Sequence, residues 1–427
     1  MNEATTILTR AAVPRAIAHG RLIISAHKWQ FTSRFRRHAF GWRSDTPIQR
    51  IKEALAEIKA VARKEPVIAA EGAVTLLEKL SPALEQVDSS SGALGTAVNR
   101  AIDTLLPVIA KADVEPRVRH RWLERLWQAL QDDGIPYIES LGEHWGELCV
   151  TPELANVWVD EFLPLVEHVW SPRSSGHGFF KGTSACLASL YAAGRHDQLL
   201  ALLERAPFKW WHDRQWGVKA LEAMGKKAEA VRYAEQSRGL NDPGWQIAEA
   251  CEAILLSSGL ADEAYRRYAI EANQGTTNLA TFRAIAKKYP NTPPEQILRD
   301  LVASTPAAEG KWFAAAKDAG LFNVAIELAT TSPTDPRTLS RAARDFAESQ
   351  PEFAVAAGLA SLRWISLGHG YDITGADVLD AYSAVMKAAS SAGADAQQIK
   401  ARIRDLLAST PTGNRLMKSV LAHHLTA

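Results

Sequence analysis

The chain has little cysteine: Cys149, Cys186 and Cys251 are its three, scattered and without a Cys-x-Cys or Cys-x-x-Cys pair. That is too few for a disulfide framework, so a reducing, cytoplasmic compartment is expected. It also lacks an excess of one charge. Forty-nine basic against 48 acidic residues leave a net charge of +1, which argues against a protein that seeks polyanions with its whole surface. Long apolar runs are missing. The stretch near the start, Leu22 to Ala26, is far shorter than a signal-peptide core, and no run approaches a membrane span. Alternating Val/Ile/Thr runs are nearly absent as well, which excludes a fold built on sheets.

Catalytic and metal signatures are equally scarce. The twelve histidines form no His-Glu-x-x-His and none pairs with cysteine at ligand spacing; Glu143-His144 and Glu167-His168 stand alone, so neither metal nor cofactor is expected. No Gly-x-Ser-x-Gly occurs, and the cysteines lie in apolar helical contexts that suit buried thiols. Gly176-His-Gly-Phe-Phe-Lys-Gly-Thr-Ser184 sets glycines, a lysine and hydroxyls before a helix, where free N–H groups can hold an anion. It lacks the Gly-Lys-Ser/Thr order of a phosphate loop, and a capped interhelical loop is the simpler reading. A second Gly-His-Gly, residues 368–370, precedes Tyr371-Asp372. No catalytic motif is present, although an active site assembled from distant residues leaves no trace in one sequence.

What the chain does have is Ala, Leu, Glu, Lys and Arg at helical spacing almost everywhere, so the fold class is all-α. Thr46-Pro47 and Asp335-Pro336 mark helix starts, a capping side chain before a proline whose missing N–H costs nothing there. After Pro47, Ile48, Ile51, Leu55, Ile58 and Ala62 form one buried stripe. Residues 46–170 read as irregular hairpins with helices at 47–63, 66–80, 93–111, 116–131 and 152–168, broken by the loop Asp88–Gly92. The Pro/Ser/Gly-rich segment 171–182 is the expected internal boundary, and 411–427 the C-terminal tail.

Between 183 and 410 the sequence repeats. Gly194, Gly225 and Gly259 each close an Ala/Leu-rich helix, 31 and 34 residues apart; Pro290, Gly320 and Pro351 keep the register, and Gly393 closes a longer unit. Each should lie in a hairpin turn, where a helix end commonly needs a left-handed residue. Ala230, Ala264 and Ala325 recur five residues after a glycine, a small residue where paired helices approach closely. Seven hairpins are expected. The pattern resembles tetratricopeptide repeats, whose unit is about 34 residues. That resemblance implies a right-handed superhelix of stacked antiparallel hairpins, an α-solenoid. The segment from Pro207 to about 385, with Lys209-Trp-Trp-His-Asp213, Arg238-Gly-Leu-Asn-Asp-Pro243 and Gly310-Lys-Trp-Phe-Ala-Ala-Ala-Lys-Asp-Ala-Gly320, is similar to bacterial proteins of uncharacterised function, some joined to a SWIM-type zinc finger. That finger is absent here, and the resemblance implies no activity.

Such arrays bind partners, so a protein-interaction scaffold is the expected role, with a protein or peptide partner held in the groove lined by the first helix of each pair. The polar positions on those helices are Arg214, Lys219, Gln246, Glu249, Arg283, Lys287, Lys311, Arg341 and Arg344; Lys209, Trp210 and Trp211 open the first of them. Cations dominate, which suits an acidic peptide or a terminal carboxylate. A nucleic-acid-binding array is the alternative. Residues 1–50 carry nine Arg or Lys against Glu3 and Asp45. In the basic arm 1–45, Lys28, Arg34, Arg36, Arg37 and Arg43 interleave with Trp29, Phe31, Phe35, Phe40 and Trp42, the pairing that grips single strands. The same segment also reads as an amphipathic helix docked on the first hairpin with its arginines in water. An Arg-rich, acid-poor opening is also the composition of an organellar transit peptide, which Glu3 and the aromatics after Lys28 fit poorly.

Overall fold

A computed structural model describes residues 27–171, 179–239, 243–409 and 415–426, and within them every regular element is helical. The first 26 residues of the basic arm, Gly176-His177-Gly178, Asn241-Asp242 and the start of the C-terminal tail lie outside the described residues. The polypeptide divides into two units, Met1–Lys226 and Lys227–Ala427.

The first unit contains α1 (Asp45–Ala62), α2 (Pro66–Leu84), α3 (Ala93–Ala110), α4 (Pro116–Gln131), α5 (Trp145–Cys149), α6 (Pro152–Val169), α7 (Thr183–Ala192), α8 (His196–Glu204) and α9 (Trp211–Ala223). Pro66, Pro116 and Pro152 each open their helix, and the Thr151 hydroxyl accepts the Leu154 N–H at 3.3 Å to cap α6. α1 buries Ile51, Ala54 and Ile58 along the expected stripe. α2 touches α1, α3 and α4 and is therefore apolar on most of its circumference. Its polar exceptions are used: Glu78 accepts Arg125 Nε and a second guanidinium nitrogen of α4, both at 2.7 Å, and Glu71 accepts the Trp122 indole N–H at 2.6 Å.

An aromatic cluster joins the middle of this unit. Phe162 lies 4.7 Å from Trp127, 5.2 Å from Trp158 and 6.1 Å from Phe180 between ring centres. Phe180 belongs to the 171–182 segment, and Lys181 beside it donates to the Leu130 and Gln131 carbonyls at 3.2 and 3.1 Å. The expected boundary segment thus lies inside the first unit, with helices on both sides in one core, and the division falls after Lys226.

The second unit contains α10 (Lys227–Glu235), α11 (Gly244–Ser257), α12 (Ala261–Ala272), α13 (Asn278–Lys288), α14 (Pro294–Ala303), α15 (Phe313–Asp318), α16 (Phe322–Thr331), α17 (Pro336–Asp345), α18 (Pro351–Ser366), α19 (Gly375–Ser391), α20 (Ala396–Ala408) and α21 (Arg415–Thr426). Consecutive helices from α11 to α20 pack as pairs. First helices touch first helices, α13 with α15 and α17 with α19, and second helices touch second, α16 with α18 and α18 with α20.

The turn glycines are conformationally required. Gly194, Gly225, Gly259, Gly320 and Gly393 all have positive φ, 65° to 76°. At Gly259 the glycine N–H reaches the Leu256 carbonyl and the Leu260 N–H reaches Leu255, both at 3.0 Å, which satisfies carbonyls that the helix end leaves open. Pro290 lies between α13 and α14, whereas Pro351 is the first residue of α18 and not part of the turn, because a proline is pre-set for that position. Ala230, Ala264 and Ala325 are fully buried.

Candidate functional site

A groove of about 640 Å³ lies between α17 and α19 in the second unit. Its first wall follows from the start of α17. Asp335 accepts the Thr338 N–H at 2.8 Å and its hydroxyl at 2.6 Å, and Pro336 opens the helix. With Leu339, Ala342 and Ala343 turned inward, Arg337, Arg341 and Arg344, spaced four and three apart, share the outer face. Asp377, Asp380, Ser383 and Lys387 of α19 form the facing wall.

Gly358 of α18 lets these helices come close. A Cβ there would overlap the Val385 side chain and meet the Ala343 Cβ at 3.3 Å. The buried Ser361 hydroxyl donates to the Pro336 carbonyl at 2.9 Å and lies 2.9 Å from the Ser340 hydroxyl.

The charges are not evenly paired. Arg337 grips Asp377 with two bonds of 2.6 and 3.0 Å and the Asp372 carbonyl with a third of 2.9 Å. That guanidinium, with the Thr374 N–H and hydroxyl, holds the Asp377 carboxyl well below the usual carboxylate range. Lys387 pairs with Glu348 at 3.1 Å, and Arg344 with its neighbour Asp345 at 3.0 Å, all largely in water. Arg341 differs: its guanidinium donates to the Arg337 carbonyl at 3.3 Å and the Thr338 hydroxyl at 3.1 Å. Among the described residues no carboxylate lies within ion-pair distance of it.

Lys287 and Lys311 are exposed and Gln246 is half-buried. Arg283 spends its charge on Asp318 of α15, with one bond of 2.9 Å and a second nitrogen on the other oxygen. In the first unit Lys209 and Trp210 are exposed, and Trp210 lies 5.7 Å from the Phe208 ring. Trp211 and Arg214 are buried, Arg214 to 2% exposure with Glu204 3.7 Å away. Arg214 was placed by sequence on the partner-facing side, but it stands three and four residues from Trp211 and Val218 and falls on the same inward face. Lys219 sets its ammonium 4.1 Å over the Trp216 ring.

The described part of the N-terminal arm is folded into the first unit. Trp29, Phe31, Phe35 and Phe40 are buried, and Gly72 of α2 is glycine because a Cβ would overlap the Trp29 indole. Among the described residues before α1 only Phe31–Ser33 is helical, a single 3-10 turn, so residues 27–44 dock without forming the amphipathic helix. Arg34 reaches Glu53 at 2.7 Å and Arg37 reaches Glu85 at 3.5 Å; Lys28, Arg36 and Arg43 are exposed. Of the five aromatics, Trp42 alone is open to stacking, with 72% exposure.

Sequence reading missed Arg337 and Lys387. The first had a signal, since it begins the Arg337-Arg341-Arg344 spacing; the second had none, because its wall is formed by a helix some forty residues on. His369 of the second Gly-His-Gly packs edge-on against Trp364 at 5.1 Å, and His177 lies outside the described residues. Burial pushes the Cys149 and Cys186 thiols up to about 12 and Cys251 to about 11, which leaves them unreactive at neutral pH. Among the described residues no cluster of His, Cys, Asp or Glu could hold a metal ion, and no helix is long and apolar enough to cross a membrane. No family model and no curated protein matches the chain.

Proposed function

We propose that the protein is an interaction scaffold whose paired helices form a tetratricopeptide-like, right-handed solenoid, and that the α17–α19 groove binds an acidic peptide or a terminal carboxylate. One observation carries the reading: Arg341 lies in the groove with no carboxylate partner among the described residues, flanked by Arg337, Arg344 and Lys387. A guanidinium held by two neutral acceptors keeps its charge available and its fork pre-set, the condition under which a carboxylate is captured by two parallel bonds. The packing of α17 against α19, first helices of successive pairs that both line the groove, supports the choice of surface.

The nucleic-acid reading draws less support, because four of the five aromatics that would stack on bases are committed to the core. Selection of random peptides over the immobilised full chain tests the proposal. Asp and Glu should be enriched, and the enrichment should vanish with Arg341→Glu. Peptides selected without acidic bias would sink it.

A further inference from the structure

The first unit brings together three side chains that the chain keeps far apart. The Ser184 hydroxyl, in the first turn of α7, lies 2.9 Å from His212 Nε2, in the first turn of α9. On the other side of the ring, His212 Nδ1 lies 3.5 Å from Glu143 Oε1, in the 3-10 turn Glu139–His144. A neutral imidazole that accepts the serine proton at Nε2 must carry its own proton on Nδ1, the nitrogen that faces the carboxylate. Hydroxyl, imidazole and carboxylate therefore stand in the order of a nucleophilic relay, with one ring nitrogen towards each oxygen.

The surroundings add two conditions that this chemistry needs. Ser184 occupies the N-terminal turn of a ten-residue helix, where backbone N–H groups lack intrahelical acceptors and the helix dipole favours negative charge on a reacting oxygen. The relay is also open to solvent: the imidazole is 48% exposed and the Glu143 carboxylate 36%. The turn lies against α7: a Cβ on Gly142, next to Glu143, would stand in ordinary contact with the Ser184 Cβ at 3.4 Å and the Ala185 nitrogen at 3.5 Å.

We propose that Ser184, His212 and Glu143 form a hydrolytic site for small carboxylic esters, a function separate from the groove. The Ser184 oxygen attacks the ester carbonyl as its proton passes to His212 Nε2. The carbon–oxygen bond to the alcohol then breaks, and the alcohol leaves with that proton. Water attacks the acyl-serine and gives a proton to Nε2. Ser184 departs from the acyl carbon, recovers the proton, and the carboxylic acid is released. Glu143 is a positioning residue that holds the ring tautomer.

The test uses the full chain with a fluorophosphonate probe and p-nitrophenyl acetate. The probe should phosphonylate Ser184, located by mass spectrometry, and the ester should give a burst of about one nitrophenolate per chain. Ser184→Ala should abolish both, and His212→Gln should slow them about a hundredfold. Glu143→Gln should slow the burst about tenfold and Glu143→Asp should restore most of it, a rescue that a purely structural role would not give. Circular dichroism of each variant reports the fold. No labelling of the wild type, or labelling and hydrolysis undiminished in a folded Ser184→Ala protein, overturns the proposal.

Discussion

Glu252 of α11 and Lys288, the last residue of α13, stand 2.7 Å apart with the carboxylate only 1% exposed. The same carboxylate accepts the Tyr289 hydroxyl at 2.6 Å and the Asn273 amide at 2.7 Å. Three donors from beyond α12 thus converge on one acid and fasten α11 to α13. Glu252→Ala would take this acceptor from Lys288 and Tyr289 and leave the Asn273 amide only the Ala269 carbonyl, and removal of one partner of such a buried pair costs about 3 kcal/mol. Tyr289→Phe removes one donor and should cost about 1 kcal/mol. Urea denaturation of the two variants checks the ratio; equal small effects would mean that the network contributes little.

The close packing beneath the groove predicts a second stability effect. Gly358→Val would drive a branched side chain into Val385 and Ala343, and such overpacking costs about 1–3 kcal/mol. The loss should appear in the melting transition, and binding of an acidic peptide should fall with it as α17 and α19 are pushed apart. Unchanged melting would contradict the close approach.

The hairpin geometry is tested at a turn and at an interface. Gly259→Ala places a Cβ on a residue with φ of 74° and should cost about 1–2 kcal/mol. Ala264→Leu, at a fully buried position where α11 and α12 pack, should cost about 1–3 kcal/mol. The effects should add within about 0.5 kcal/mol if the sites are independent. Calorimetry of the single and double variants measures this.

The Arg337–Asp377 clamp makes a pH prediction. Asp377 has a depressed pKa in the folded protein, so in the acid range the unfolded chain binds more protons and stability rises with pH. Its contribution is complete above the ordinary Asp value of about 3.9 and is lost as the pH falls through the lower, folded value. Asp377→Asn should therefore be less stable than the wild type at pH 6 and approach it near pH 2. Parallel stability curves at all pH values would show that the clamp is energetically silent.

The elements were legible in the sequence and their long-range partners were not. Gly194, Gly259 and Gly320 announce themselves because a helix end needs a left-handed residue, and Asp335-Pro336 because a cap and a proline suit the same turn. Arg214 shows where reading stops. A charged residue on a helix is expected outside, and only its spacing from Trp211 and Val218 reveals the inward face. The arm's aromatics read equally as stacking platforms or as core, a choice that depends on whether α2 offers a seat, which Gly72 does. Ser184 and His212, 28 residues apart, and Glu252 and Lys288, 36 apart, meet only because helices pack side by side.

The central claim is that Arg341 and its neighbours capture an acidic partner, and isothermal titration of an Asp/Glu-rich peptide with a free C-terminal carboxylate tests it most directly. Binding should weaken as salt rises from 50 to about 500 mM, since exposed charges are screened over about 10 Å or less. The double variant Arg341→Glu, Arg344→Glu, with unchanged circular dichroism, should bind at least about tenfold more weakly, a loss of about 1.4 kcal/mol. Equal affinity of the wild type and the folded double variant would contradict the account.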